Sequence, residues 1–304
     1  MKLQFRSATF DLAAKPYVMG ILNLTPDSFW DGGKYADVGQ AVKRAGQMVA
    51  EGADIIDVGG ESTRPTAAPI DAAEELRRIG PVIERLAKEL PVPISVDTRR
   101  ACVAAEMISL GAGMINDVSG FAFDPDMAEV ARTSGVPVVL MHMRGVPATM
   151  QNLTSYGDVV AEVKRELAGR VQAAEAAGVR PENIVIDPGI GFAKTAEQNV
   201  EIIARLDEFA EIGKPILIGP SMKSFIGKTL GLGPADRREA TIACCVVAAG
   251  KGANIFRVHD VAGVSRALAM ADLLGRVPKP GATGRAMDKS KGKPKGRGQK
   301  GTRR

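Results

Sequence analysis

Polar residues recur at one kind of place in this chain, at or just beyond the ends of short apolar runs. They are Asn23; Asp57, followed by Ser62, Thr63 and Arg64; Asp97; Asn116 and Asp117; His142; Asp187; Ser221 and Lys223; and Arg257, His259 and Asp260. They sort by chemistry. Asp97, Asn116 and Asp187 fall in the middle runs, whereas Ser62, Thr63, Arg64, Ser221, Lys223, Arg257 and His259 fall toward the two ends. A carboxylate accepts two hydrogen bonds from a fork of N–H donors, and an amide both donates and accepts. The first group therefore suits a flat heterocycle with an aminopyrimidine-like edge. The second suits a phosphate or diphosphate, which arginine binds through two parallel N–H bonds. Asn23, with Asp27 and Asp31 in the loop after it, offers the hard oxygen ligands that Mg2+ takes and often shares with substrate phosphates. Taken together the residues predict a diphosphate-bearing heterocycle, magnesium, and displacement of the diphosphate.

The two histidines differ. His142 lies between Met141 and Met143 in an apolar run and reads as a wall residue. His259 stands two residues from Arg257, on the same side of a strand, and with it reads as an anion clamp. No third histidine exists to complete a zinc site. A buried aspartate at a strand end also commonly caps the next helix, so the sorting of the set carries the argument, not any single member.

Eight runs must position these residues: 18–24, 55–60, 94–98, 114–120, 138–143, 184–190, 216–221 and 255–261. They are continuously apolar, as strands covered on both faces are. Between them lie stretches such as 38–52, 72–90 and 158–178, whose apolar residues recur every three or four positions, as in amphipathic helices. Eight strands alternating with about eight helices predict an α/β fold, a single-domain (β/α)8 TIM barrel. A doubly wound open sheet is the competing architecture, but no GxGxxG follows the first strand, which argues against a Rossmann domain. Two segments exceed ordinary βα loops, 23–37 and 61–69, and in a barrel both project from the C-terminal face.

The remainder is bounded by composition. The 304 residues are 45% hydrophobic and 25% charged, enough apolar material for one large core. The net charge of +5 is misleading, because residues 285–304 hold nine basic groups against one acid, leaving 31 basic and 34 acidic residues elsewhere. The barrel is expected over 1–280, and 281–304 as a basic, low-complexity, disordered tail, for which RNA contact is an alternative use. Cys244 and Cys245 sit in an apolar helical run and, with Cys102, show no CxxC spacing; a reducing cytoplasm fits them. The N-terminus carries no signal-like apolar stretch, and no run approaches the length of a membrane span.

The stretches GILNLTPDSFWDGG, GADIIDVGGESTRP, ISVDTR, GAGMINDVSGF, VIDPGIGF, SMKSFIG and FRVHDV resemble, in order, the motifs of dihydropteroate synthase, over about residues 18–274. The resemblance implies a TIM barrel that joins (7,8-dihydropterin-6-yl)methyl diphosphate to p-aminobenzoate, giving 7,8-dihydropteroate and diphosphate in folate biosynthesis. It implies Mg2+, a dissociative displacement, sulfonamides as inhibitors and a homodimer. By position it implies a pterin pocket of Asp97, Asn116, Asp187 and Lys223, with Asn23 on magnesium and diphosphate. Thr63, Arg64, Arg257 and His259 match its diphosphate anchors. Phe29, Thr63, Pro65, Phe192 and Ser221 match its p-aminobenzoate site, and Asp31 a loop carboxylate that steadies a cationic intermediate; catalysis would rest on Asn23, Asp31, Asp97, Asp187 and Lys223. Residues 25–33 and 62–69 match two mobile loops of the family. One departure is Met222, where the family usually has arginine; it predicts an altered grip on p-aminobenzoate and an altered sulfonamide response. The rival readings are a methyltetrahydrofolate:corrinoid methyltransferase, which needs no diphosphate anchors, and a catalytically silent pterin- or RNA-binding barrel.

Overall fold

The computed structural model describes residues 1–6, 8–25, 38–63 and 67–275. Two short strands, β1 (Lys2–Gln4) and β2 (Thr9–Asp11), precede the barrel as an antiparallel hairpin. The eight apolar runs then form β3 (Tyr17–Asn23), β4 (Ile55–Gly59), β5 (Ile94–Asp97), β6 (Met114–Asp117), β7 (Val138–Met141), β8 (Ile184–Asp187), β9 (Leu217–Ile218) and β10 (Ile255–Val258). Each pairs in parallel with its neighbours in the order β8-β7-β6-β5-β4-β3-β10-β9, and a parallel bridge between Ile186 and Ile216 joins the two ends. The fold is a TIM barrel.

The strands stop earlier than the apolar runs suggest. In β6 the Asp117 carboxylate accepts from the amides of Ser119 (2.7 Å) and Phe121 (2.9 Å). In β8 the Asp187 carboxylate accepts from Gly189 N at 2.7 Å. These local bonds offer the backbone an alternative to the ladder and turn it out of the sheet.

Helices wrap the sheet: α1 (Val38–Ala50), α2 (Ala72–Glu89), α3 (Ala101–Ser109), α4 (Met127–Ser134), α5 (Val159–Ala176), α6 (Ala196–Ala204), α7 (Ser224–Leu230), α8 (Arg238–Gly250) and α9 (Val261–Gly275). Their starts are set by side chains that take orphan amides: Asp71 accepts from Glu74 N at 2.8 Å, and Thr195 and Gln198 form a reciprocal capping box on α6. Among the described residues no helix is long and apolar enough to cross a membrane.

Alternation along the strands divides the core in two. Outward residues such as Val18, Leu22, Ile56 and Val58 pack against the helices in one large cluster. Inward residues Met19, Ile55, Met114, Val139, Val185, Leu217 and Ile255 fill the lower bore, and Leu3, Phe5, Leu12 and Tyr17 seal it from below. The hairpin thus corks the N-terminal mouth, an element that sequence patterning did not predict. Higher in the bore, the inward positions turn polar: Asp57, Ser95, Asn116 and Asp187 are all buried. The boundary expected at residue 280 and the basic segment 281–304 lie outside the described residues.

Candidate active site

Strand register determines which of the polar ends meet. Arg257 is level with Met19, Asp57 with Ile21, and Asp97 with Gly59, which is itself level with Asn23. Asp57 and Gly59 therefore lie two and four residues further up the barrel, on the same inward face as Arg257. The arginine rises to meet both acids. Its Nε donates to Asp57 Oδ2 at 2.6 Å, and a terminal nitrogen donates to Asp97 Oδ2 at 2.6 Å. Asn116 Nδ2 also donates to Asp57 Oδ2, at 3.0 Å. The second oxygen of Asp57 is buried with no hydrogen-bond partner among the described residues.

Burial pushes the Asp97 carboxyl up to about 7, against the pull of Arg257 and with the push of Asp57. The two acids hold the Arg257 guanidinium more firmly charged, against its burial. Asp117, next to Asn116, faces outward and is spent on its own turn.

Across the bore, Asp187 is buried, which raises its pKa, and it lies in the field of Lys223. Burial pushes the Lys223 ammonium down to about 8, with Asp187 opposing. Lys223 Nζ donates to the carbonyl of Ile190 and stands 4.2 Å from the centroid of the Phe192 ring. Phe192 belongs to a small apolar wall with Val118, Met141, Met143 and Met150. The segment between Asp187 and Phe192 needs glycine: a Cβ on Gly189 (φ +72°) would lie 1.9 Å from the His142 carbonyl oxygen.

Ser221 Oγ is 2.9 Å from His259 Nδ1 and accepts from His259 N at 3.1 Å, so the ends of β9 and β10 are locked together. Arg257 is held by two carboxylates and His259 by Ser221. Met222 follows in the left-handed region (φ +57°), its amide bonded to Thr241 Oγ1 at 3.0 Å and its carbonyl to Arg237 at 3.1 Å.

Thr63 and Ser62 lie on a segment tied at both ends by Glu61, which accepts from Arg100 (2.9 Å) and from Ile70 N (3.3 Å). A cavity of about 240 Å3 between this segment and β5 is lined by Ser62, Thr63, Asp97 and Thr98 among others. Asn23 closes β3 at the same level, partly exposed. Phe29, Asp31, Arg64 and Pro65 lie outside the described residues, as does Asp27.

Sequence reasoning named Asp57 without giving it a partner, and it passed over Lys194 and Glu166. His142 is the buried wall residue expected, bonded to Glu166 Oε2 at 2.9 Å and to Lys194 Nζ at 3.0 Å. Of the two cysteines read from the apolar run as buried small hydrophobes, Cys245 is buried and Cys244 only half-buried; Cys102 is exposed. Among the described residues no three acidic, histidine or cysteine side chains form a metal cage. Asn23 alone fits a metal that brings most of its oxygen ligands with the substrate.

The model of the family described as pterin binding enzyme matches residues 19–259. The dihydropteroate synthase of Synechocystis is 49% identical over 268 residues, 88% of this chain and 93% of that protein. A Yersinia pestis dihydropteroate synthase solved with a sulfonamide drug complex superposes with a TM-score of 0.85 at 41% identity, covering 90% of this chain and 99% of the other. The Xanthomonas albilineans enzyme gives 0.85 at 43% identity with 4-aminobenzoic acid bound, and 0.83 at 41% in complex with 7,8-dihydropteroate. Those two comparisons cover 91% of this chain and 99% and 100% of the other chains.

Proposed function

The chain belongs to the dihydropteroate synthase family of pterin-binding transferases, and from that premise we propose that it condenses (7,8-dihydropterin-6-yl)methyl diphosphate with p-aminobenzoate. The observation that carries this reading is the convergence of Asp97, Asn116, Asp187 and Lys223 on one polar mouth above an apolar bore. Asp97, Asn116 and Asp187 present the acceptors and the amide that a pterin's N–H edge requires. Lys223 supplies the donor opposite them, and the Phe192 ring offers a flat wall for an aromatic second substrate.

Arg257 donates to Asp97, the acid that the pterin would use. The incoming heterocycle takes over Asp97, and the released guanidinium is free to turn toward the diphosphate with Thr63, Arg64, Ser221 and His259. Pterin recognition and diphosphate recognition are thereby coupled through one side chain. The pterin-methyl carbon–oxygen bond breaks, and the electron pair leaves with the diphosphate. Positive charge at the methylene carbon is stabilised by the carboxylates of the mouth, a role the resemblance also gives to Asp31. The aniline nitrogen of p-aminobenzoate then forms the new carbon–nitrogen bond and gives up one proton. A neutral aniline is already nucleophilic, so placement between Phe29, Pro65, Phe192 and Ser221 contributes more than a strong base would. Asn23 and the diphosphate oxygens would hold Mg2+, which supplies charge neutralisation on the leaving group when bound.

Sulfonamides, bound by the Yersinia enzyme, would compete for the same place as p-aminobenzoate. A cytoplasmic homodimer is part of the same reading. The test is dihydropteroate formation from the two substrates with and without Mg2+, in wild type and Lys223→Ala. Magnesium-dependent product that collapses in the variant supports the reading. Pterin binding without product would sink it and return methyl transfer to consideration.

A further inference from the structure

Lys194 is almost wholly buried, 3% exposed, behind the pocket described above, and its charge acts on Asp187 there. Its Nζ has three partners, each at 3.0 Å: His142 Nδ1, the carbonyl of Gly189 and the carbonyl of Phe192. Burial pushes the Lys194 ammonium well down, opposed by Asp187; while charged, it has three N–H donors to match these three acceptors. The ionised Glu166 carboxylate can only accept, so the neutral imidazole donates from Nε2 to Oε2, 2.9 Å away, and accepts at Nδ1. Burial, reinforced by Lys194, pushes His142 down to about 4, which keeps the ring neutral and able to accept. Glu166, on α5, is fixed in turn by Arg144.

The segment that Lys194 grips has an unusual backbone. Gly189, Gly191 and Ala193 all have positive φ, at 72°, 84° and 48°. The two glycines adopt this region freely, but Ala193 is held there only where surrounding bonds over-determine it. Phe192 N donates to Gly189 O at 3.1 Å, Asn199 Oδ1 takes Gly191 N at 2.6 Å, and Tyr156 donates to Ala193 O at 2.9 Å. The same segment presents the Ile190 carbonyl and the Phe192 ring to Lys223. Two lysines therefore bind one loop: one faces substrate, and the other sets the loop's shape.

We infer that Lys194 is a positioning residue for the second-substrate subsite, holding the Gly189–Phe192 loop through a buried relay from Glu166 and His142. The inference rests on the proposed function. Its effect reaches the reaction through Phe192 and Ile190, so it bears on capture of p-aminobenzoate more than on the pterin.

The test uses the full chain and steady-state kinetics with both substrates. Lys194→Met keeps length and removes every donor. It is expected to raise KM for p-aminobenzoate about tenfold or more, with KM for the pterin diphosphate within about threefold of wild type. A fall in kcat alone, tracking the folded fraction, would reduce Lys194 to a structural residue and overturn the inference. Should that variant not fold, His142 separates the cases. His142→Asn keeps an acceptor where Nδ1 stood, whereas His142→Gln keeps only the reach to Glu166. The inference requires a raised p-aminobenzoate KM in the glutamine variant and a near-normal one in the asparagine variant; equal values in both overturn it. Wild-type protein that forms no dihydropteroate would instead bring down the functional reading itself, and this inference with it.

Discussion

The two halves of the same barrel are built on opposite terms. Below, inward side chains are Met, Ile, Val and Leu, and the β1–β2 hairpin presses Leu3 and Phe5 into them with no charge in the cluster. Above, the inward set is Asp57, Asp97, Asn116, Asp187 and Arg257, with Lys223 over them. Apolar burial is favourable whatever the ligand. Buried carboxylates and ammonium groups are costly until something pairs with them. The lower half thus holds the fold together, and the upper half keeps unsatisfied chemistry that a substrate can complete.

The comparison breaks most readily at Phe5. Phe5→Ala is expected to destabilise the chain by about 3–5 kcal/mol and to lower Tm by roughly 10 °C, with kcat per folded molecule unchanged. Calorimetry and titration of active sites check it. A changed KM for either substrate would show that the ends are not separable.

Asp97→Asn is the counterpart above. It is expected to lower kcat/KM by about 100- to 1,000-fold, while Tm stays level or rises because a buried charge is gone. A Tm loss like that of Phe5→Ala would contradict the division.

The pH dependence sharpens the same contrast. The proposed function has Asp97 bind ionised and Lys223 protonated, so kcat/KM should fall about tenfold per unit below pH about 7 and again above about 8. Stability runs the other way. The raised Asp97 pKa stabilises the fold below its ordinary value, and that contribution is lost as pH rises through 7. The depressed Lys223 pKa weakens the fold below 8, and stability returns as pH rises toward the ordinary lysine value. Between 7 and 8 both groups oppose folding and both are in the state the reaction uses. A stability maximum in that window in wild type, unchanged in the Asp97→Asn and Lys223→Ala variants, would refute this.

The smallest effect is expected at Met222. Met222→Arg restores a planar donor fork beside Ser221, and sulfonamide inhibition constants should shift by a few-fold. Identical constants would show that this position does not touch the drug.

Most of the fold was legible, because continuous apolar runs of strand length between amphipathic stretches leave few alternatives. The hairpin was not: three-residue strands such as Lys2–Gln4 are too short for alternation to register. Asp97, Asn116, Asp187 and Lys223 were legible by type and position. What pairs with them was not, since Arg257 meets Asp97 across 160 residues, and register decides it. Lys194 was the least legible. A lone lysine after GIGFA carries no periodic signal, and its partners His142 and Glu166 are ordered only by tertiary packing. The loop residues Phe29, Asp31, Arg64 and Pro65 remain expectations from the resemblance.

The barrel closes at its thinnest point. Strand β9 is two residues long and meets β8 through the Ile186–Ile216 bridge, whereas β3 and β4 share five paired positions. A closed ring of hydrogen bonds is mechanically as stiff as its weakest link, so slow fluctuations of the whole cylinder concentrate along this seam. Asp187 stands on one lip and Ser221 just past the other. The parting line therefore runs through the mouth, and amide exchange should be fastest there among the barrel strands. A ligand that spans both lips would act as a rivet, slowing exchange far beyond the residues it touches.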